Sequence, residues 1–110
     1  MENRILSILG LVRRAGKLSF GFDSVKDAIK CGHASLVVLA ADLSQGSQDE
    51  MRFLAERRGV PTVQIGLTME AIAPAIGRKG MIGILSVNDK GFAGKLLSLT
   101  QDQGGVAYDH

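Results

Sequence analysis

Apolar positions along this chain recur at two spacings, and the switch between them marks out the elements. Ile5, Ile8, Leu9 and Val12 fall three or four apart, the spacing of one helix face. Arg13 and Arg14 follow near the negative end of that helix's dipole, and Gly16 is the expected stop. Leu18-Ser19-Phe20 reads as a short strand closed by Gly21. A second helix is predicted next, capped by Asp23 or Ser24, with Val25, Ala28 and Ile29 inward and Gly32 at its end. Ser35 to Ala40 is a continuous apolar run of strand length, the pattern of a central strand covered on both faces.

Asp42 to Gly46 reads as a loop, and Ser47-Gln48-Asp49-Glu50 as a capping box opening a third helix through Met51, Leu54 and Ala55 to Gly59. Val60 to Ile65, entered at Pro61, is a third strand. Thr68 begins a short helix that Pro74 should distort or delay, because proline lacks the backbone donor. Met81 to Val87 is a fourth strand, and Asn88 or Asp89 caps a last helix through Phe92, Leu96 and Leu97. Residues 101–110 contain Gly104-Gly105 and no apolar periodicity, so a flexible tail is expected after one domain over residues 1–100. Strands separated by helices imply an α/β protein built as a layered α/β/α sheet.

Composition narrows the class. A chain of 110 residues with 45% hydrophobic residues suits one domain with a real core. One cysteine forbids an intrachain disulfide, and two distant histidines, His33 and His110, argue against a zinc site, so no metal or cofactor is expected. No run approaches the roughly 18 apolar residues of a membrane span. Met1-Glu2-Asn3-Arg4 leads straight into the amphipathic pattern without a cleavable signal, and the expected location is cytoplasmic. The net charge of +2 hides a gradient: residues 1–32 carry +3, residues 41–58 carry −1, residues 62–100 carry +2 and the last ten −2. The body therefore permits a polyanionic partner without demanding one.

Several motifs invite chemistry. Gly10 to Ser19 imitates a phosphate-binding loop, but five residues separate Gly10 from Gly16, Leu18 follows Lys17, and the segment ends a helix where a phosphate cradle begins one. Gly77-Arg78-Lys79-Gly80 resembles the loop with which KH domains clamp a nucleic-acid backbone. A KH domain continues into a helix, whereas a strand is expected here, so only the basic contact carries over. Cys31 and His33 flank Gly32 with no acidic partner evident, and a cysteine at a helix end is ordinarily a packing residue. Asp42 follows the central strand, where α/β enzymes often place function, yet an aspartate there also serves to anchor a loop.

The stretch from Ile5 to Leu18, read as ILSILGLVRRAGKL, resembles the opening of the ribosomal protein L7Ae/L30e family in its bacterial YlxQ-type members. The likeness continues through Gly21–Gly32, Leu36–Asp42, Val60-Pro61, Ile76-Gly77 and Asn88–Ala93, covering about residues 4–97. It implies a three-layer α/β/α sandwich around a four-stranded mixed sheet, no catalytic residues, and binding of kink-turn RNA, a sharply bent duplex with tandem sheared G·A pairs. The family's recognition motif, Gly-x-Asn-Glu-x-x-Lys, falls on Gly21, Asp23, Ser24 and Asp27, where only the glycine matches. Asp23 accepts hydrogen bonds without amide donors, Ser24 is shorter than glutamate, and Asp27 repels phosphate. Lys26 and Lys30 lie nearby.

The family's second contact surface falls on Gly77 to Met81. The resemblance thus implies Gly21, Asp23, Ser24 and Lys26 at an RNA-facing helix start, Lys17, Arg78 and Lys79 as phosphate contacts, and Ile76 and Met81 against a splayed nucleotide. The expected partner is structured RNA, ribosomal RNA included. Two rivals stand beside it. A protein-interaction module that kept the fold would use an apolar patch around Phe22 and Met81. A small-ligand enzyme would need a deep pocket holding Asp42 or His33.

Overall fold

A computed structural model describes residues 3–102, so residues 103–110 of the expected tail lie outside the described residues. The elements are α1 (Arg4–Arg14), β1 (Leu18–Phe20), α2 (Phe22–Lys30), β2 (Leu36–Leu39), α3 (Gln45–Arg57), β3 (Thr62–Gln64), α4 (Met69–Ala75), β4 (Ile84–Val87) and α5 (Lys90–Asp102). Side chains of the apolar β2 run alternate between two cores, as a period of two requires. Leu36, Val38 and Ala40 pack with Ile5, Leu9 and Val12 of α1, Ile72 of α4 and Leu96 of α5. Val37 and Leu39 pack with Val25 and Ile29 of α2 and Met51 and Ala55 of α3. The result is the expected three-layer sandwich, with α1, α4 and α5 on one face of the sheet and α2 and α3 on the other.

The strand order is β1-β4-β2-β3. β4 lies antiparallel to both β1 and β2, with Phe20 and Val38 each opposite Leu85, while β3 runs parallel to β2. This mixed arrangement brings the C-terminal ends of β1, β2 and β3 and the start of β4 to one end of the sheet. The starts of α2, α3 and α4 follow at that same end.

Helices α1 to α4 stop alike. In α4 the Gly77 N–H donates to the Pro74 carbonyl at 3.0 Å and the Arg78 N–H to the Ala73 carbonyl at 2.9 Å. That is a Schellman motif, which needs the left-handed φ of +74° found at Gly77. Gly16, Gly32 and Gly59 occupy the matching place after α1, α2 and α3.

Four local expectations are corrected. α2 starts at Phe22, one residue after β1, so Gly21 rather than Asp23 or Ser24 is its N-cap, without a side-chain cap bond. α3 starts at Gln45 because Ser44, not Ser47, takes the cap: its hydroxyl accepts the Ser47 N–H at 3.3 Å. β4 is shorter than Met81–Val87, since the Ile82 N–H turns away from the sheet to the Met69 carbonyl at 3.1 Å. Pro74 does not delay α4, whose first turn is capped by Thr68 as expected; it sits next to the last residue, where one donor lost matters little.

Candidate nucleic-acid interface

The site is built at the end of the sheet where β1 finishes. The chain turns there at Gly21, whose N–H donates to the Ile84 carbonyl at 2.9 Å, so the start of α2 is tied to the start of β4. Gly21 has φ +90° and ψ 153°, a conformation open to glycine and strained for other residues. The first N–H groups of α2 carry no side-chain cap bond, which makes that helix end receptive to an anion. Asp23 in its first turn is exposed and adds negative charge beside those donors, and Ser24 next to it is exposed too. Lys26 is half-buried one turn on.

The segment from Gly77 to Gly83 enters β4 and so crosses the same corner. Its Schellman turn throws Arg78 outward, and the Arg78 guanidinium carbon lies 5.3 Å from the centre of the Phe20 ring. Phe20 is the last residue of β1 and immediately precedes Gly21. That contact seats Arg78 against the residue that immediately precedes the α2 cap. Arg13, from the last turn of α1, lies over the same ring at 5.2 Å. Lys79 is exposed on the loop, and Met81 is 61% exposed.

Lys17 is placed differently. It precedes β1, its carbonyl accepts the Asn88 N–H at 2.7 Å, and about 13 Å of extended chain separates it from Gly21 at the other end of the strand. Sequence reasoning expected Lys17, Gly21, Asp23, Ser24, Lys26, Arg78, Lys79 and Met81 on one surface, with Ile76 beside Met81. The structure places Lys17 at the far end of β1 and buries Ile76 in the core, and sequence reasoning did not single out Arg13 over Phe20. The signal that could have found Arg13 is the pairing of an arginine in the last turn of one helix with an aromatic at the end of the next strand.

The residues considered for chemistry are placed apart. Asp42 Oδ1 accepts the Met69 N–H at 2.9 Å and so holds the start of α4. Cys31 and His33 are exposed on the turn after α2. Among the described residues, no three of His, Cys, Asp or Glu stand close enough to hold a metal ion. An open groove of about 350 Å³ lies at the opposite end of the sheet, between Ile29, Ser35, Val60, Pro61, Arg58 and Lys90, with no carboxylate, thiol or imidazole in its lining. No helix among the described residues is long and apolar enough to cross a membrane.

Comparisons with known proteins agree with this architecture. The model of the Ribosomal protein L7Ae/L30e/S12e/Gadd45 family matches residues 3–97. The RNA-binding protein YlxQ of Bacillus subtilis is 32% identical over 92 residues, which cover 84% of this chain and 90% of that protein. The large ribosomal subunit protein eL30 of Candida albicans is 26% identical over 98 residues, covering 89% of this chain and 92% of its own. Among solved structures, a Bacillus halodurans protein of unknown function superposes with a TM-score of 0.84 at 29% identity, over 91% of this chain and 99% of that one. The Giardia lamblia 15.5kD RNA binding protein, at 20% identity and a TM-score of 0.69, shares the fold over 90% of this chain and 92% of its own. With the family model matched over nearly all its length, the chain belongs to the ribosomal protein L7Ae/L30e/S12e/Gadd45 family.

Proposed function

We propose that this protein is a cytoplasmic, non-enzymatic RNA-binding protein of ribosomal-protein type that takes kink-turn-like RNA at the corner formed by Gly21 and the Gly77–Met81 loop. The observation that carries the reading is the contact of Arg78 with Phe20, which sets a basic loop beside the uncapped start of α2. Two features suited to phosphates thereby flank the Phe20–Gly21 turn: uncapped N–H groups at the positive end of a helix dipole, and exposed Arg78 and Lys79. The relatives named for RNA binding and for the large ribosomal subunit point the same way.

Base-edge readout falls to the first turn of α2. Asp23 can accept from an amino group in a groove, where an amide would both accept and donate, and Ser24 does either over a short reach. Met81 offers an apolar face to an unstacked base. Lys26, one residue before Asp27 and so on a shifted face of α2, supplies positive charge that partly offsets it. This division of labour lets the loop set affinity and the helix start set specificity.

The protein-interaction reading gains little from the surface. Phe22 is half-buried against the α2/α3 core, which shrinks the apolar patch with Met81 that would strengthen that reading. The deciding experiment titrates the protein against a labelled kink-turn hairpin, and against the same hairpin with its G·A pairs replaced by Watson–Crick pairs, at two salt concentrations. Preference for the kinked RNA supports the full reading. Equal, salt-sensitive binding refutes kink-turn specificity and keeps RNA binding. Absence of binding to both at low salt refutes the function.

A further inference from the structure

We propose that Arg13 of α1 is a phosphate-binding residue of the same RNA site, paired with Arg78 across Phe20, so that the RNA footprint extends from the loop onto the last turn of α1. The proposal rests on the RNA reading above and adds to it an element that the resemblance did not include.

Two guanidinium groups lie over one aromatic ring, Arg13 at 5.2 Å and Arg78 at 5.3 Å from its centre. Attraction of a cation to a ring face leaves N–H donors of the guanidinium available for another partner. Each arginine has five such donors. Among the described residues, neither group donates a hydrogen bond or pairs with a carboxylate. Donors that are held in place and unspent match the planar, bidentate geometry of phosphate oxygens.

The two arginines also belong to one rigid unit. A Cβ added at Gly10 would stand 3.0 Å from the Ala75 carbonyl oxygen, so α1 and the end of α4 approach almost to backbone contact. Arg78 leaves that junction through the Schellman turn, with its own N–H fixed on the Ala73 carbonyl. Arg13 is half-buried three residues beyond Gly10. Neither α1 nor the segment from Ile76 to Ile84 contains a carboxylate to neutralise the pair. An arginine in the last turn of a helix also suits the dipole there, but that role does not call for a position over Phe20.

The test compares wild-type protein with Arg13→Ala, Arg13→Gln, Arg13→Lys and Phe20→Leu, using the kink-turn hairpin and its Watson–Crick counterpart as probes over a salt series. Arg13→Gln keeps the aliphatic stem, in case the alanine variant loses stability. Loss of one phosphate contact should lower the slope of log K against log salt by about 0.9 and weaken binding roughly tenfold at 50 mM salt, less as salt rises. Arg13→Lys should restore the slope. Phe20→Leu keeps both charges but frees them, so affinity should fall with the slope unchanged.

An unaltered slope in both neutral variants, with or without weaker binding, overturns the proposal while the RNA reading stands. Unchanged affinity in Phe20→Leu overturns the role of the ring. Failure of the wild-type protein to bind either RNA at low salt overturns both readings together.

Discussion

Asn88→Ala tests how β1 is fastened to the sheet. The Asn88 amide joins three side chains in a row: Ser86 Oγ donates to Asn88 Oδ1 at 2.9 Å, and Asn88 Nδ2 donates to Ser19 Oγ at 3.0 Å. Ser86 is fully buried and faces its β1 partner Ser19 across the ladder. Removing the amide leaves the Ser86 hydroxyl without a partner away from water, at a cost of about 2 kcal/mol. The bond to half-buried Ser19 adds about 0.5 kcal/mol, because water replaces much of it. The backbone bond from Asn88 N–H to the Lys17 carbonyl survives. The expected loss is therefore about 2.5 kcal/mol, or a fall in Tm of about 10 °C for a domain of this size.

Urea unfolding followed by far-UV circular dichroism should show a lower midpoint at constant m. Adding Ser86→Ala removes the orphaned hydroxyl, so the double variant should lose only about 1 kcal/mol, less than Asn88→Ala alone. The reasoning fails if Asn88→Ala costs under about 0.5 kcal/mol, or if the second substitution deepens the loss. RNA affinity should not change, because Asn88 lies at the end of β1 opposite Gly21.

Further expectations concern the interface. Arg78→Ala and Lys79→Ala should each weaken RNA binding and each lower the salt slope by about one, as measured by fluorescence anisotropy over a salt series. Unchanged slopes in both would take the loop out of the site. Replacing Asp23→Asn, Ser24→Glu and Asp27→Lys together should raise kink-turn affinity, since amide donors, reach and positive charge return to the first turns of α2. No gain in the same titration would mean that this surface reads a different RNA feature.

Much of the fold was legible because its signals are local. Helix stops were marked by glycines that fill a left-handed position one residue past the cap, and Gly16, Gly32 and Gly59 were read correctly on that ground. Asp89 was one of two caps expected for α5, and its Oδ2 accepts the Phe92 N–H at 2.9 Å. Local signals failed where two neighbours offered the same chemistry. Ser44 and Ser47 both satisfy the pattern of a cap, and Gln48 resolves the choice by donating to the Leu43 carbonyl at 2.7 Å, which favours the earlier start. At α2 the cap went to Gly21 because the strand before it ends one residue earlier, a limit set by the bond to Ile84.

The order of helices and strands, the buried run of β2 and the glycine stops were determined by the sequence itself, since each depends on side-chain periodicity or on one residue's backbone freedom. Tertiary structure alone decided that β4 enters between β1 and β2, antiparallel to both. That insertion depends on packing two helical layers against opposite faces of one sheet, which no local pattern encodes. From it follows the corner where the α2 start meets the basic loop, and where Arg13 and Arg78, 65 positions apart in the chain, share the ring of Phe20.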